Sequence, residues 1–195
     1  MKILFYSPIK LTSGGGCERW HCDITDSLKK QFKYDVRIVT ANLGTSQWTE
    51  NYLNSQLKVP YEIVRFPTLL GALIPTPTAI YQLYKHFLWA DAVHVIHGFI
   101  GQDILVLLLK LFTGKRVILG WHAPIFHNVK IHNLYMRYIS RYFLNLFDGQ
   151  MTLNASDKKF LKQKWHVKNI HFIPSGIRVE RFLNLKRKSH PTLNF

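Results

Sequence analysis

The sequence predicts an α/β fold: a Rossmann-like parallel sheet of about seven strands with helices on both faces. Three observations predict it. Short apolar runs alternate with helical patterns along nearly the whole chain. The first run, residues 3–6, is continuously apolar rather than alternating, as expected of a strand buried on both faces. That run is followed by Gly14, Gly15 and Gly16 and then by a helical pattern. Strand, glycine loop, helix is the order that lets backbone N–H groups and a helix N-terminus face an electron-rich ligand.

The elements follow in order. Cys17, Trp20, Ile24, Leu28 and Phe32 recur at three- and four-residue spacing and predict a helix with one apolar stripe. Residues 35–40 read as the second strand, and 62–66, bounded by Pro60 and Pro67, as the third. The pattern over 79–89 predicts a helix with Ile80, Leu83, Phe87 and Leu88 inward. Residues 92–97 are the fourth strand, and 101–113 a helix apolar enough to be covered on most sides. A strand over 116–121, a long helix over 132–147 and a strand over 149–153 come next. The helix over 156–165 takes Ser156 as its N-cap, with Asp157 in the first turn, and 169–173 is the last strand. These elements make one domain over 1–183. Residues 184–195, with Lys186-Arg187-Lys188, read as a linker and the start of a further domain.

Composition narrows the partners. The 195 residues carry a net charge of +15, which calls for an anionic partner: a phosphorylated substrate, an acidic membrane surface or nucleic acid. No helix-turn-helix, zinc or RNA-binding motif accompanies the charge, so specific nucleic-acid binding is not expected. Cys17 and Cys22, five apart on a helix, point in different directions and predict no disulfide. A reducing, cytoplasmic setting follows, peripheral at the inner membrane face if the charge serves a membrane. No apolar stretch is long enough to span a bilayer. Ten histidines are scattered without metal-ligand spacing, so no metal or other cofactor is expected.

In a parallel sheet, ligands sit beyond the carboxyl ends of the strands. That rule selects Gly15, Gly16, His97, His122, Ser156, Ser175 and Gly176 as crevice candidates. His97 reads equally well as a packed histidine, and His94 reads as packing. Glu18 complements the helix dipole. No Ser-His-Asp or paired-carboxylate set is legible. Residues 130–143 interleave cations and aromatics, with Arg137 and Arg141 on one helix face. Lys130, Arg137 and Arg141 are therefore candidates for an anionic membrane.

Five stretches in register resemble the N-terminal domain of retaining glycosyltransferases of the GT-B fold, the group 1 (GT4-like) family. They are Gly15-Gly16-Cys17-Glu18; Ala92-Val93-His94-Val95-Ile96-His97-Gly98; Gly120-Trp121-His122; residues 148–156 (Asp-Gly-Gln-Met-Thr-Leu-Asn-Ala-Ser); and Ile173-Pro174-Ser175-Gly176-Ile177, followed by Arg181-Phe182. The family usually has Asn-Gly where Ser175-Gly176 stands. The resemblance implies transfer of a sugar from a nucleotide-diphospho-sugar to an acceptor with retention, the acceptor lipid-linked or held at a membrane. It implies that His122 lines the cleft and hydrogen-bonds the donor sugar as the catalytic histidine. It also implies that the leaving diphosphate assists, so that no protein nucleophile is needed. The family binds its donor mainly in a C-terminal domain carrying Glu-x7-Glu, and no two glutamates here have that spacing. The chain is therefore expected to be the acceptor-side half, inactive alone and completed by a C-terminal domain or a partner subunit. The rival readings are a non-catalytic acceptor- or membrane-binding module and, on charge alone, a nucleic-acid-binding protein.

Overall fold

The computed structural model describes residues 1–69, 72–123, 125 and 130–174. In chain order the elements are β1 (Lys2–Ile9), α1 (Gly16–Phe32), β2 (Asp35–Leu43), α2 (Glu50–Gln56), β3 (Tyr61–Ile63), the short strands β4 (Thr68–Leu69) and β5 (Ala72–Leu73), and α3 (Pro77–Trp89). Then come β6 (Ala92–Ile96), α4 (Gln102–Thr113), β7 (Arg116–Trp121), α5 (Lys130–Tyr135), α6 (Arg141–Phe143), β8 (Gly149–Thr152), α7 (Ala155–Lys164) and β9 (Ile170–Phe172). Seven strands form one parallel sheet in the order β3-β2-β1-β6-β7-β8-β9, while β4 and β5 pair antiparallel beside it. The expected Rossmann-like sheet is present.

Two cores lie on its two sides. One joins α1 and α2 to Ile3, Phe5, Val36 and Ile38. The other joins α3, α4, α5 and α7 to Leu4, Tyr6, Val93, Val95, Val117 and Leu119. The alternating assignment of neighbours such as Phe5 and Tyr6 is the two-residue period of a strand buried on both faces.

Several expectations change in the structure. The apolar stripe of α1 lies on its flank, with Trp20, Ile24 and Leu28 half-buried and Phe32 exposed. The buried face is Glu18, His21, Cys22, Thr25 and Asp26. Polar groups can be buried there because they find local partners: Thr25 Oγ1 donates to the His21 carbonyl at 2.6 Å, and Lys30 pairs with Asp26 at 2.9 Å. In α3, Leu83 and Phe87 point inward as expected, but Leu88 is exposed. The helix α4 is not covered on most sides: Ile104, Leu108, Leu111 and Phe112 face outward. The helix expected over 132–147 is a composite, with a π-helical turn at Met136–Ser140 between α5 and α6 and a 3-10 turn at Leu144–Leu146. The N-cap of α7 is Asn154, whose Oδ1 accepts from the Asp157 N–H at 2.7 Å, and Ser156 instead donates to that same oxygen at 2.8 Å. The third and last strands are shorter than expected, and α2 was not anticipated.

Candidate active site

The carboxyl ends of β1, β6, β7 and β8 carry the expected crevice residues, and α1 joins two of these groups. At its start, Gly14 has φ 71° and lies beneath the Trp48 indole, where a Cβ would come within 2.6 Å of Nε1. Gly15 is the N-cap. The Glu18 carboxyl group folds back over the helix start, within 2.7 Å of where a Cβ on Gly15 would stand, and the backbone N–H groups of Gly15 and Glu18 favour its ionised form. Burial nevertheless raises the Glu18 pKa. Gly16 is exposed with open space where a Cβ would stand.

One turn into α1, Trp20 and His21 meet the ends of β6 and β7. The His122 ring lies edge-on to Trp20 at 4.6 Å and stacks on His21 at 5.9 Å between centroids. His94 completes the group, 5.5 Å from His122 and 6.2 Å from His21, with Phe5 beneath it at 5.2 Å. Gly120 is what allows the imidazoles to converge: a Cβ there would collide with Nε2 of His94 and approach Nε2 of His122 to 2.7 Å. Among the described residues, both ring nitrogens of His94 and of His122, and Nε2 of His21, are shielded from solvent and lack a hydrogen-bond partner.

Burial holds all three imidazoles neutral. It lowers His21 to about 3, helped by repulsion from His122, and lowers His122 to about 4. His94 is lowered well below 6.5, again mainly by burial, with His122 and His21 adding to the effect. A neutral imidazole can both donate and accept, so His122 can hydrogen-bond a hydroxyl group without bringing a fixed charge.

His97 stands elsewhere. It is buried on the α4 side of the sheet, edge-on to Trp121 at 4.3 Å. Its Nδ1 is 3.1 Å from Asp103 Oδ1, off the line of a hydrogen bond, and its Nε2 is 3.1 Å from Ser140 Oγ. Tyr135 donates to Asp103 at 3.2 Å, and beside it Tyr6 donates to Gln102 at 2.6 Å. A Ser-His-Asp set therefore exists, although none was legible in the sequence. Ser140 and Asp103 are fully buried, so no substrate reaches them, and the set ties β6, α4 and the π-turn together. Burial and the neighbouring Asp103 raise the pKa values of both tyrosines.

Ser156 lies exposed in the first turn of α7, and Ser175 and Gly176 fall outside the described residues. Lys130 and Arg137 are exposed; Arg141 is half-buried and stacks on Tyr142 at 4.5 Å. Neither Cys17 nor Cys22 is in a disulfide. Among the described residues, no group of three or more His, Cys, Asp or Glu side chains could hold a metal ion. No described helix is long and apolar enough to cross a membrane.

The family model for Glycosyltransferase Family 4 matches residues 14–181. No curated protein sequence matches the chain. Among solved structures, Anabaena Alr3699/HepE in complex with UDP and glucose is similar with a TM-score of 0.65 at 14% identity, over 92% of this chain and 46% of that one. The lipopolysaccharide outer core galactosyltransferase WaaB, in its apo form, is similar with a TM-score of 0.56 at 14% identity, over 88% and 44%. A sucrose-phosphate synthase from Thermosynechococcus elongatus gives a TM-score of 0.55 at 11% identity, over 93% of each chain. At these identities the likeness is one of fold. The chain spans less than half the length of the HepE and WaaB chains.

Proposed function

The chain belongs to glycosyltransferase family 4, and from that we propose that it is the acceptor-side half of a retaining GT-B glycosyltransferase. The family match over residues 14–181 carries the reading. The complete enzyme would take a sugar from a nucleotide-diphospho-sugar. HepE structures containing UDP and UDP-glucose support that donor class. The acceptor would be lipid-linked or held at a membrane, consistent with the +15 charge.

In this reading His122 faces the cleft between the two halves and hydrogen-bonds the donor sugar. Its neutral state suits hydroxyl recognition, and Trp20 would have to turn aside to free its nitrogens. Gly15 and Gly16 let a ligand approach the start of α1, with Ser156, Ser175 and Gly176 on the neighbouring strand ends. His97 would serve by fixing the loop after β6. The leaving diphosphate would assist departure, so that no side chain need act as nucleophile.

The 195 residues alone are expected to transfer no sugar when incubated with labelled nucleotide-sugars and membrane extract. In a complete or reconstituted enzyme, His122→Ala should lower kcat by the equivalent of about 2–4 kcal/mol of barrier. The melting midpoint should move little. Unchanged turnover with a large fall in midpoint would make His122 a packing residue and remove it from the chemistry.

A further inference from the structure

The two helical layers of this sheet differ in one respect that neither core explains. The layer of α1 and α2 mixes signs, with Asp23 and Glu50 alongside Arg19, Lys29 and Lys30. On the other side, α3, α4 and the stretch from α5 through α6 carry a single carboxylate, Asp103, and that one is buried; α7, at the edge of the same layer, adds Asp157 against four lysines. The same three helical segments expose large apolar and aromatic side chains. On α4, Ile104, Leu108, Leu111 and Phe112 form an outward stripe, with Leu111 65% and Phe112 79% exposed. The α5–α6 stretch exposes Ile131, Leu134, Tyr138 and Tyr142, the last at 69%. On α3, Tyr81 is exposed with Lys85 over its ring at 4.4 Å.

A stripe of this kind is unusual on a helix with a second apolar face. The inward face of α4 is already satisfied by Leu105, Val106 and Leu109, so folding alone does not call for the outer stripe. Large exposed apolar patches mark contact surfaces. The nearest exposed carboxylate, Asp148, is paired with Lys110 of α4 at 3.3 Å, and the exposed faces of α3 and of the α5–α6 stretch add Lys85, Lys130 and Arg137, with the half-buried Arg141, so the excess of cations selects an anionic contact. Tyrosines beside cations are the side chains that settle at a headgroup boundary.

We propose that this helical layer docks on an anionic lipid bilayer, with the outer stripe of α4 set into the interface and the surrounding cations on lipid phosphates. The proposal deepens the membrane-held acceptor proposed above by assigning the docking face. It also fixes an orientation. The sheet would lie roughly parallel to the membrane, with its carboxyl-end crevice opening sideways about one helix diameter, ~10 Å, above the headgroups. An acceptor anchored in lipid could reach the crevice from there without leaving the bilayer.

The test uses the 195-residue chain and vesicles of phosphatidylglycerol mixed with phosphatidylcholine, with pure phosphatidylcholine as the neutral control, read by co-sedimentation. The parent should bind the anionic vesicles and not the neutral ones. L111S/F112S should weaken binding roughly tenfold or more at every salt concentration, because it removes apolar insertion. K130Q/R137Q/R141Q should weaken it on the order of a hundredfold at low salt and little at about 1 M, where charges are screened within roughly 3 Å. Unchanged melting midpoints in both variants would show that the fold survives. The proposal is overturned if the parent ignores anionic vesicles, or if L111S/F112S binds as the parent does. It is equally overturned if sedimentation velocity without lipid shows a dimer that L111S/F112S abolishes, since the face would then belong to a second copy. No sugar donor is present in these assays. A failure here therefore leaves the transferase reading standing, and an inactive reconstituted enzyme leaves vesicle binding unaffected.

Discussion

The imidazole cluster makes the fold acid-sensitive, and the size of the effect follows from its surroundings. An exposed histidine titrates at 6.5, whereas burial lowers His21 to about 3 and His122 to about 4. Above pH 6.5 neither the folded nor the unfolded chain binds these protons, and the cluster has no effect on the pH dependence. Below it, the unfolded chain takes them up and the folded chain does not, so stability falls as pH falls from about 6.5 toward the folded values. At pH 5 each such histidine removes about 2 kcal/mol relative to pH 7. His21 and His122 together remove about 4 kcal/mol, and His94 shifts in the same direction. Glu18, packed in the same helix, opposes the loss, because burial raises its carboxyl and the folded state takes up its proton first. A domain of ordinary stability, roughly 5–15 kcal/mol, would lose much of its margin. Urea unfolding at pH 7 and pH 5 measures this directly. His21→Leu, which keeps an apolar side chain against Trp20 and Phe5, should reduce the pH-dependent loss by about 2 kcal/mol. A parent whose stability changes by less than about 1 kcal/mol over that range, or a variant with the parent's pH dependence, would refute the reasoning.

Two further substitutions probe the packing. Gly120→Ala should destabilise by about 1–3 kcal/mol in urea, because the new methyl would displace the His94 and His122 rings; an unchanged midpoint would mean that the rings move freely. Asp103→Ala should cost about 1–3 kcal/mol, since it leaves the buried Tyr135 hydroxyl without its acceptor, whereas Ser140→Ala should cost about 1 kcal/mol. Equal effects would show that the carboxylate does not organise the set.

Strand positions were legible because residues buried on both faces read as unbroken apolar runs, and the glycines after the first run marked the start of α1. Helix orientation was less legible. The apolar stripe of α1 suggests that Trp20 and Leu28 face the core, but the buried face is Glu18, His21 and Thr25, of which Thr25 is bonded within the helix while His21 packs against the other imidazoles with Nε2 unpartnered. Composition along one helix does not reveal such local bonds. The spacing of Glu18, His21, Cys22 and Thr25 is helical too, and was the signal available for His21. The Ser140–His97–Asp103 set spans three elements, and its members are 43 and 6 residues apart. Only the packing of the π-turn over the end of β6 brings them together. The outward stripe of α4 shows the opposite limit. An apolar sequence reports the tendency to be covered, not what covers it.

In the function proposed above, the two parts of the crevice suit different ligands. The glycine loop suits backbone N–H groups facing a phosphate, but the Glu18 carboxyl group already lies over the helix start, where the N–H groups of Gly15 and Glu18 favour its ionised form. A phosphate at α1 would have to displace that carboxyl group. The end of β7 offers instead a neutral imidazole, His122, edged by the Trp20 indole. An aromatic edge beside an uncharged donor–acceptor fits a sugar, which presents hydroxyl groups and C–H faces but no charge. Of the glycines at the start of α1, Gly14 then serves close approach of the chain beneath Trp48, while Gly16 has open space where a Cβ would stand.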